Sequence, residues 1–491
     1  MANTVKQGGF LLRGAVLALA LACVTGCGDD DDGEPQTPGT DAGVTEDAGT
    51  DAGTDAGTDA GTPVLDSDIA VARFNTDGTQ DTTFGAGGVT RVDFSTGRGT
   101  RDSLWDVKVD ATNRIVLFGN RRGSGDRVDT ERVVARLTAA GALDTAFGSE
   151  SPTTGLSILN LGTLNDSIRN GIIQPDGKIV SSGYTSMPTG AGAQSQNRIV
   201  LQRLGDDGKA DATFGWKGTV VSAPFQAQSP TNPEWGMAES YAVVRQADGS
   251  YVTTGYGMRT PTGTVDLVSF RYTADGRFDE TWGVGGAFVL DLSNDNERGR
   301  NLTVLGDDRT VHVGSATPTP NNIDAMVLVL DADGRADTTF AAEGYKLYDF
   351  ERPESAFFGV AASPDGNWVA AAGYRSGGGQ DDDAVLAIIP VKGTGVEVFK
   401  AVPLSETEND RFWAAAFDSQ NRLYAAGFVT EGGDNRMVVA RYTTAGDLDT
   451  TFGTGGVAKL NVVTAKTEET VRGIAIQSDG KVVVGGPIEK Q

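Results

Sequence analysis

A unit of about sixty residues recurs seven times between Asp68 and the C-terminus. Its first landmark is a turn followed by an aromatic. It reads DGTQDTTFGAGG at 77–88, GALDTAFGS at 141–149, DGKADATFG at 207–215, DGRFDETWG at 275–283, DGRADTTFA at 333–341 and GDLDTTFGTGG at 446–456. A second landmark alternates with it: QPDGKIVSSGY at 174–184, QADGSYVTTGY at 246–256, SPDGNWVAAAGY at 363–374, SQNRLYAAGF at 419–428 and QSDGKVVVGG at 477–486. A unit this short cannot bury its own apolar face. It must stack on its neighbours, so the period constrains the architecture more than any single residue does.

Each unit contains four short β patterns bounded by turn residues. Around Asp166 they are SIRNGIIQ (167–174), IVSSGY (179–184), RIVLQRL (198–204) and TVVSAPF (219–225). Asp-Gly turns join the first to the second, and the turn and TFG landmark joins the third to the fourth. No stretch of the repeat region keeps a helical period for three turns, so the expected class is all-β. Four-stranded units repeated seven times predict a seven-bladed β-propeller over 67–491. The chain enters on a third and fourth strand, DIAVARF (68–74) and VTRVDF (89–94). It leaves on a first and second, VRGIAIQ (471–477) and VVVGG (482–486). Complementary halves predict a terminal blade closed by two strands from each end, which hides two sheet edges. The sixth unit departs from the pattern. Over 384–404 it keeps two strands but lacks the Asp-Gly turn and the TFG segment, and Lys392 to Gly395 reads as a plain hairpin turn.

The two landmarks resemble those of the delta-60 repeat family, most closely at Ala440 to Gly456 and Ile476 to Gly486. The resemblance spans about residues 68–486. It implies a bacterial propeller-type repeat protein, common among secreted and surface proteins. The family brings no assigned activity and no catalytic residues.

Composition removes several function classes. The formal charge is −25 over 491 residues, with a pI near 4.4. Such a surface repels phosphate backbones, so no nucleic-acid partner is expected. The only cysteines are Cys23 and Cys27, which leaves no thiol or disulfide in the repeats. The only histidine, His312, lies in a strand pattern, RTVHVGS, and reads as a packing residue. No GxSxG elbow accompanies it, and zinc or iron sites built on several histidines are excluded. Carboxylate chemistry remains open.

The N-terminus reads as an address. Residues 1–26 combine Lys6 and Arg13 with an apolar run from Gly14 to Val24, too short to span a bilayer. Val24-Thr25-Gly26-Cys27 resembles the lipobox of bacterial lipoproteins, which implies a lipid anchor on Cys27 and attachment to a bacterial membrane, the outer membrane by preference. Residues 27–66 hold Asp29 to Asp32 and the repeat DAGTDAGTDAGTDAGT at 47–62. Nothing there can bury apolar surface, so it reads as a tether of roughly 35 Å. The folded part is then periplasmic or surface-exposed.

Two sets of residues invite a functional reading. Asp331-x-Asp333-Gly334-x-x-Asp337 resembles part of the calcium loop of integrin-type propellers, but such turns offer two or three of about six oxygens. They read as backbone turns, and neither metal nor cofactor is expected; calcium is the one ion they suit. The second set is a ring. Asp102, Asp166, Glu297, Asp410 and Glu469 stand twelve positions before the second landmark's basic residue, with Glu239 and Glu354 shifted by one. Three positions beyond the five regular acids stand Trp105, Arg169, Arg300, Trp413 and Arg472. If the first strand is innermost, these residues ring one mouth of a channel. They would suit a cation or a sugar, or else the acids would tie down strand ends. Variable loops at Ser186 to Asn197, Phe225 to Gly236 and Gly377 to Asp383 would emerge on the same face. The reading is a non-enzymatic binding or scaffold lipoprotein with a protein or glycan ligand. The alternative is a carboxylate-based glycosidase or lyase at the channel mouth. No catalytic residue is named.

Overall fold

The computed structural model describes residues 66–490 apart from segments 96–100, 123–128, 150–153, 188–195, 226–235, 260–263, 293–295, 393–394 and 465–466. The leader over 1–26, Cys27 and all but the last residue of the tether lie outside the described residues. So do the centres of the loops at 188–195 and 226–235 and of the hairpin turn at 393–394.

Among the described residues every element is a strand. The chain opens with β1 (Asp66–Phe74) and β2 (Val89–Val92). The next unit is β3 (Ser103–Val109), β4 (Ile115–Arg122), β5 (Thr130–Leu137) and β6 (Leu156–Leu159). Then come β7 (Asp166–Ile173), β8 (Ile179–Met187), β9 (Gln196–Leu204) and β10 (Thr219–Ser222). The fourth group is β11 (Met237–Arg245), β12 (Tyr251–Met258), β13 (Asp266–Tyr272) and β14 (Ala287–Leu290). The fifth is β15 (Glu297–Val304), β16 (Thr310–Thr319), β17 (Asn322–Leu330) and β18 (Tyr345–Tyr348). The sixth is β19 (Glu354–Ala362), β20 (Trp368–Ser376), β21 (Asp383–Pro390) and β22 (Val398–Ala401). The seventh is β23 (Asp410–Phe417), β24 (Leu423–Thr430), β25 (Asn435–Tyr442) and β26 (Val457–Leu460). The chain ends with β27 (Gly473–Ile476) and β28 (Val482–Lys490).

Each group of four is an antiparallel meander. The fifth and sixth are joined into one path by a single pair, Ile323 with Glu354. The two chain ends share a sheet in the order β2-β1-β28-β27, with β1 and β28 paired from Asp66–Lys490 to Phe74–Val482. The first strand of each group packs on the first strand of the next: β3 on β7, β7 on β11, β11 on β15, β15 on β19, β19 on β23, β23 on β27, and β27 on β3. The molecule is an all-β propeller-type repeat.

The apolar core lies between neighbouring sheets, as the repeat requires. One cluster joins Tyr424, Val439 and Phe452 to Ala70, Val471 and Val482, across the two chain ends. The TFG landmark supplies the wedges. Phe84, Phe147, Phe214 and Phe452 are fully buried and Trp282 nearly so. Each such side chain contributes about 1.5–3 kcal/mol by leaving water.

A clasp holds the four phenylalanine wedges. Arg203 Nε donates to Asp211 at 2.8 Å, Nη1 to the Ala274 carbonyl of the next unit at 2.7 Å, and Nη2 to Thr213 at 3.0 Å. Its guanidinium lies 4.7 Å from the Phe214 ring centroid. Arg73, Arg136 and Arg441 repeat the arrangement. Arg441 reaches the Thr76 carbonyl and so joins the last complete unit to the first strands. The landmark glycine adds a backbone bond, Gly215 N–H to the Asp275 carbonyl at 2.9 Å.

The sixth unit lacks this clasp. Glu397 compensates by accepting from Tyr348 Oη at 2.6 Å and from Lys346 at 2.5 Å, both in the preceding unit. Phe399 meets Tyr348 and Phe350 edge-on there, yet stays 52% exposed.

Candidate functional site

The first strand of each group, or for Arg472 the residue just before it, brings one side chain into a belt around a central cavity. In chain order the belt is Trp105, Arg169, Tyr241, Arg300, Phe358, Trp413 and Arg472. Each member touches the next. The Arg169 guanidinium lies 4.0 Å from the Trp105 ring centroid and 4.9 Å from that of Tyr241. Arg300 lies 4.9 Å from Tyr241 and 5.1 Å from Phe358. Phe358 meets Trp413 edge-on at 4.7 Å. Arg472 lies 4.2 Å from Trp413 and 5.4 Å from Trp105, which returns the belt to its start. Guanidinium groups against aromatic faces gain from the ring quadrupole, more so away from water.

Local backbone geometry explains why these residues and not their neighbours face inward. The register between first and second strands shifts at Leu104/Asp106, Ile168/Asn170, Ser240/Ala242, Gly299/Asn301, Phe357/Gly359 and Phe412/Ala414. The skipped residue is the belt residue each time. A β-bulge leaves one residue without a partner and re-aims its side chain. The same bulge accounts for the glycine of the second landmark. A Cβ on Gly183 would sit 2.0 Å from the Ser167 carbonyl oxygen, and one on Gly373 would sit 1.8 Å from that of Ala356. Only a residue without a side chain fits there.

The cavity has a volume of about 430 Å³ and runs from the belt along the C-terminal halves of the inner strands. It therefore lies toward the turns between first and second strands, away from the variable loops that the sequence favours for binding. Its wall is uneven. Ala414, Ala415, Ile474 and Ala475 make one side apolar, while Asp106, Lys108, Asn170 and Asn301 make the other polar. Asp106 is the one carboxylate in the wall among the described residues. It accepts from Asn170 Nδ2 at 2.7 Å, the Gly171 amide at 3.2 Å and Lys108 Nζ at 2.7 Å, so it links two units.

The seven ring carboxylates stand elsewhere. Asp102, Asp166, Glu239, Glu297, Glu354, Asp410 and Glu469 are all buried at or just before the starts of the inner strands, and none lines the cavity. Most hold the segment that arrives from the preceding outer strand. Asp102 accepts from the Phe94 amide at 2.5 Å and Ser95 Oγ at 2.6 Å. Asp166 accepts from the Leu161 amide at 2.6 Å. Asp410 takes the Leu404, Ser405 and Ala384 amides at 3.0, 2.9 and 2.9 Å. Glu469 takes the Val462 amide at 2.9 Å and that of Val463. Glu239 accepts from Asn197, and Glu354 from Tyr374 Oη at 2.7 Å. Burial pushes Asp102 up to about 7 and Asp410 up to about 6, against the pull of these donors. Of the ring read from sequence, Trp105, Arg169, Arg300, Trp413 and Arg472 thus meet in the cavity wall, and the acids lie behind it. Tyr241 and Phe358 were missed. They stand two residues past Glu239 and four past Glu354, so a fixed spacing of three skips them, but both sit at the bulge opposite a landmark glycine.

Two carboxylate trios are the groups best placed to hold a cation among the described residues: Asp68, Asp93 and Asp102, and Asp266, Asp291 and Glu297. Ligand oxygens in each lie within 4.8 Å of one another. Burial and then Asp291 push Asp266 up to about 6, so a proton relieves this trio without any ion. Three residues fall short of the six to eight oxygens calcium takes. Asp331 instead accepts from the Asp333 and Arg335 amides at 3.0 and 2.8 Å, as a turn residue does. His312 is fully buried, with Nε2 2.9 Å from Thr310 Oγ1, and burial holds it down at about 3.

Fold and site together define a propeller-type repeat protein with an arginine–aromatic belt at its centre. Three segments, 66–84, 174–214 and 421–452, match the model of a family described as a domain of unknown function (DUF5122) beta-propeller. No curated protein matches the chain. Among solved structures, a protein of unknown function from Dyadobacter fermentans DSM 18053 is similar at 10% identity and a TM-score of 0.42, over 80% of this chain and 95% of that one. The polysaccharide lyase Uly1 aligns at 11% identity and a TM-score of 0.42, over 85% and 98%. The GH93 alpha-L-arabinofuranosidase of Fusarium graminearum aligns at 11% and 0.39, over 70% and 93%.

Proposed function

We propose that this chain is a bacterial envelope lipoprotein, anchored through Cys27, whose seven-bladed propeller is a non-enzymatic binding module with its ligand in the central cavity. The lipobox-like Val24-Thr25-Gly26-Cys27 and the Asp-rich segment after it support the anchor and the tether. The sheet order β2-β1-β28-β27 and the unbroken cycle of inner-strand contacts support seven blades closed two-plus-two.

The observation that carries the binding reading is the cavity wall. It presents three arginines and four aromatic residues, six on separate inner strands and Arg472 just before β27, beside an apolar side. A concave, largely apolar site with a few convergent polar groups is what small ligands use. Glycoside cleavage by carboxylates needs two acids across the bond, and among the described residues the wall holds Asp106 alone, already engaged by four donors. The reading is tested with a panel of glycans, peptides and organic ions titrated into the full chain and its Trp105→Ala/Trp413→Ala variant. A ligand that binds the parent and is lost from the folded variant is the expected result. Binding indifferent to the belt would place the site elsewhere and defeat the reading.

A further inference from the structure

Two indole N–H donors stand in the belt, on Trp413 and Trp105. Trp413 is 5% exposed, and its Nε1–H reaches no acceptor among the described residues. The Trp105 Nε1–H is buried in the same condition. Both indoles line the cavity, and both flank Arg472. Buried polar groups in native proteins are almost always satisfied, so a pair of orphan donors on one rim calls for a partner from outside the chain.

The chemistry of that partner follows from the donors. An indole N–H only donates, so the partner must accept, and an ammonium head is excluded. Hydrogen bonds to a charged oxygen are roughly twice as strong as neutral ones, and the guanidinium between the two indoles favours negative charge further. A planar fork such as guanidinium matches a carboxylate. Below this sector the wall is hydrocarbon: Ala414, Ala415, Ile474, Ala475 and Val360. The whole chain carries a formal charge of −25, so this sector is a local exception to an acidic molecule. The ligand is then amphipathic, with an acidic head at the belt and an apolar body along the wall. A cavity of about 430 Å³ takes a small molecule, not a polymer.

We propose that the channel binds a small organic carboxylate with an apolar body, its oxygens accepting from the indole N–H groups of Trp413 and Trp105 beside Arg472. This rests on the reading of the cavity as the binding site. The test is calorimetric titration of the full chain, in a maltoside detergent, with hexanoate and 3-phenylpropionate. The matched alcohols, hexanol and 3-phenylpropanol, are titrated alongside. The carboxylates are expected to saturate one site, with the alcohols at least tenfold weaker. Trp413→Phe keeps a ring in the belt and removes the donor, and it should weaken the carboxylates about tenfold; Trp105→Phe, as the second variant, should act in the same direction. A thermal melt checks that each variant is folded. Unchanged carboxylate binding in both variants overturns the proposal. Alcohols or neutral sugars that bind as well as the acids, yet are weakened by Trp413→Phe, overturn the carboxylate while leaving the channel as a binding site. Failure of these probes and of the wider panel removes both.

Discussion

At the scale of single residues, the buried carboxylates set how stability depends on pH. Asp102 is raised to about 7, and Asp266 and Asp410 to about 6, by burial in each case. A folded pKa above the unfolded value means the folded state holds the proton more tightly. The stability from these groups is fully present below the unfolded value near 4 and is lost as pH rises through 6 to 7. Other groups work the other way, Asp81 and His312 among them. The Lys481 hydrogen bond, and then that of Thr83, hold Asp81 well below the usual carboxylate range, so its contribution is full above about 4 and is lost as pH falls from there toward the folded value. His312, held at about 3 by burial, loses stability as pH falls below its unfolded value near 6.5. Three raised acids outweigh one histidine between pH 5 and 7. Melting by calorimetry should therefore peak below pH 6, with a higher Tm at pH 5 than at pH 8, and Asp102→Asn should flatten the limb above pH 6. A maximum at or above pH 7 would contradict the assignment of these carboxyls as buried.

At the scale of the repeating element, two side-chain devices carry most of the order, and they were unequally legible. The arginine clasp predicts that Arg203→Lys, which keeps the charge but loses the fork to Asp211, Thr213 and the Ala274 carbonyl, costs about 2 kcal/mol in urea unfolding. A change within 0.5 kcal/mol would show the fork to be idle. The bulge predicts that Gly183→Ala, which drives a Cβ to 2.0 Å from the Ser167 carbonyl, costs about 3 kcal/mol or more. A neutral Gly183→Ala would show that the sheet absorbs the methyl. Strand positions were readable because period-2 alternation and Asp-Gly turns are local. IVSSGY at 179–184 falls within Ile179–Met187, and RIVLQRL at 198–204 within Gln196–Leu204. The bulge was not readable as such. A skipped residue leaves the alternation nearly intact, and only the second-strand glycine betrays it. Trp105, Arg169, Arg300, Trp413 and Arg472 were reached through their spacing from an acid. Tyr241 and Phe358 were not, because the acid that marks them is displaced by one. The acids themselves drew the eye as a ring, since recurrence looks the same in sequence whether it serves a ligand or a strand end. Burial and amide donors, which tell those apart, exist only in three dimensions.

At the scale of the whole molecule, the two ends matter most. Truncation after Asn461 removes β27 and β28, leaves β1 without its partner and takes Arg472 from the belt. Exposed sheet edges then invite pairing between chains, and light scattering should report aggregation. A soluble, cooperatively melting truncation would favour an open array, whose stability is closer to a sum over repeats. At the other end, Cys27→Ser should leave the protein out of the detergent phase and block removal of residues 1–26. Unchanged partitioning would defeat the lipid anchor. The central claim is that the belt binds and the acids behind it build. It is tested most directly by a crossed measurement of melting temperature and ligand affinity in two variants, Trp105→Phe/Trp413→Phe and Asp166→Asn/Asp410→Asn, with any ligand that the parent binds. The tryptophan pair should lose affinity at nearly unchanged Tm. The acid pair should melt lower, by about 1–3 kcal/mol of stability for each weakened acceptor, and bind as the parent does while folded. An acid pair that melts normally and loses the ligand, beside a tryptophan pair that keeps it, would show that the acids bind and the belt does not.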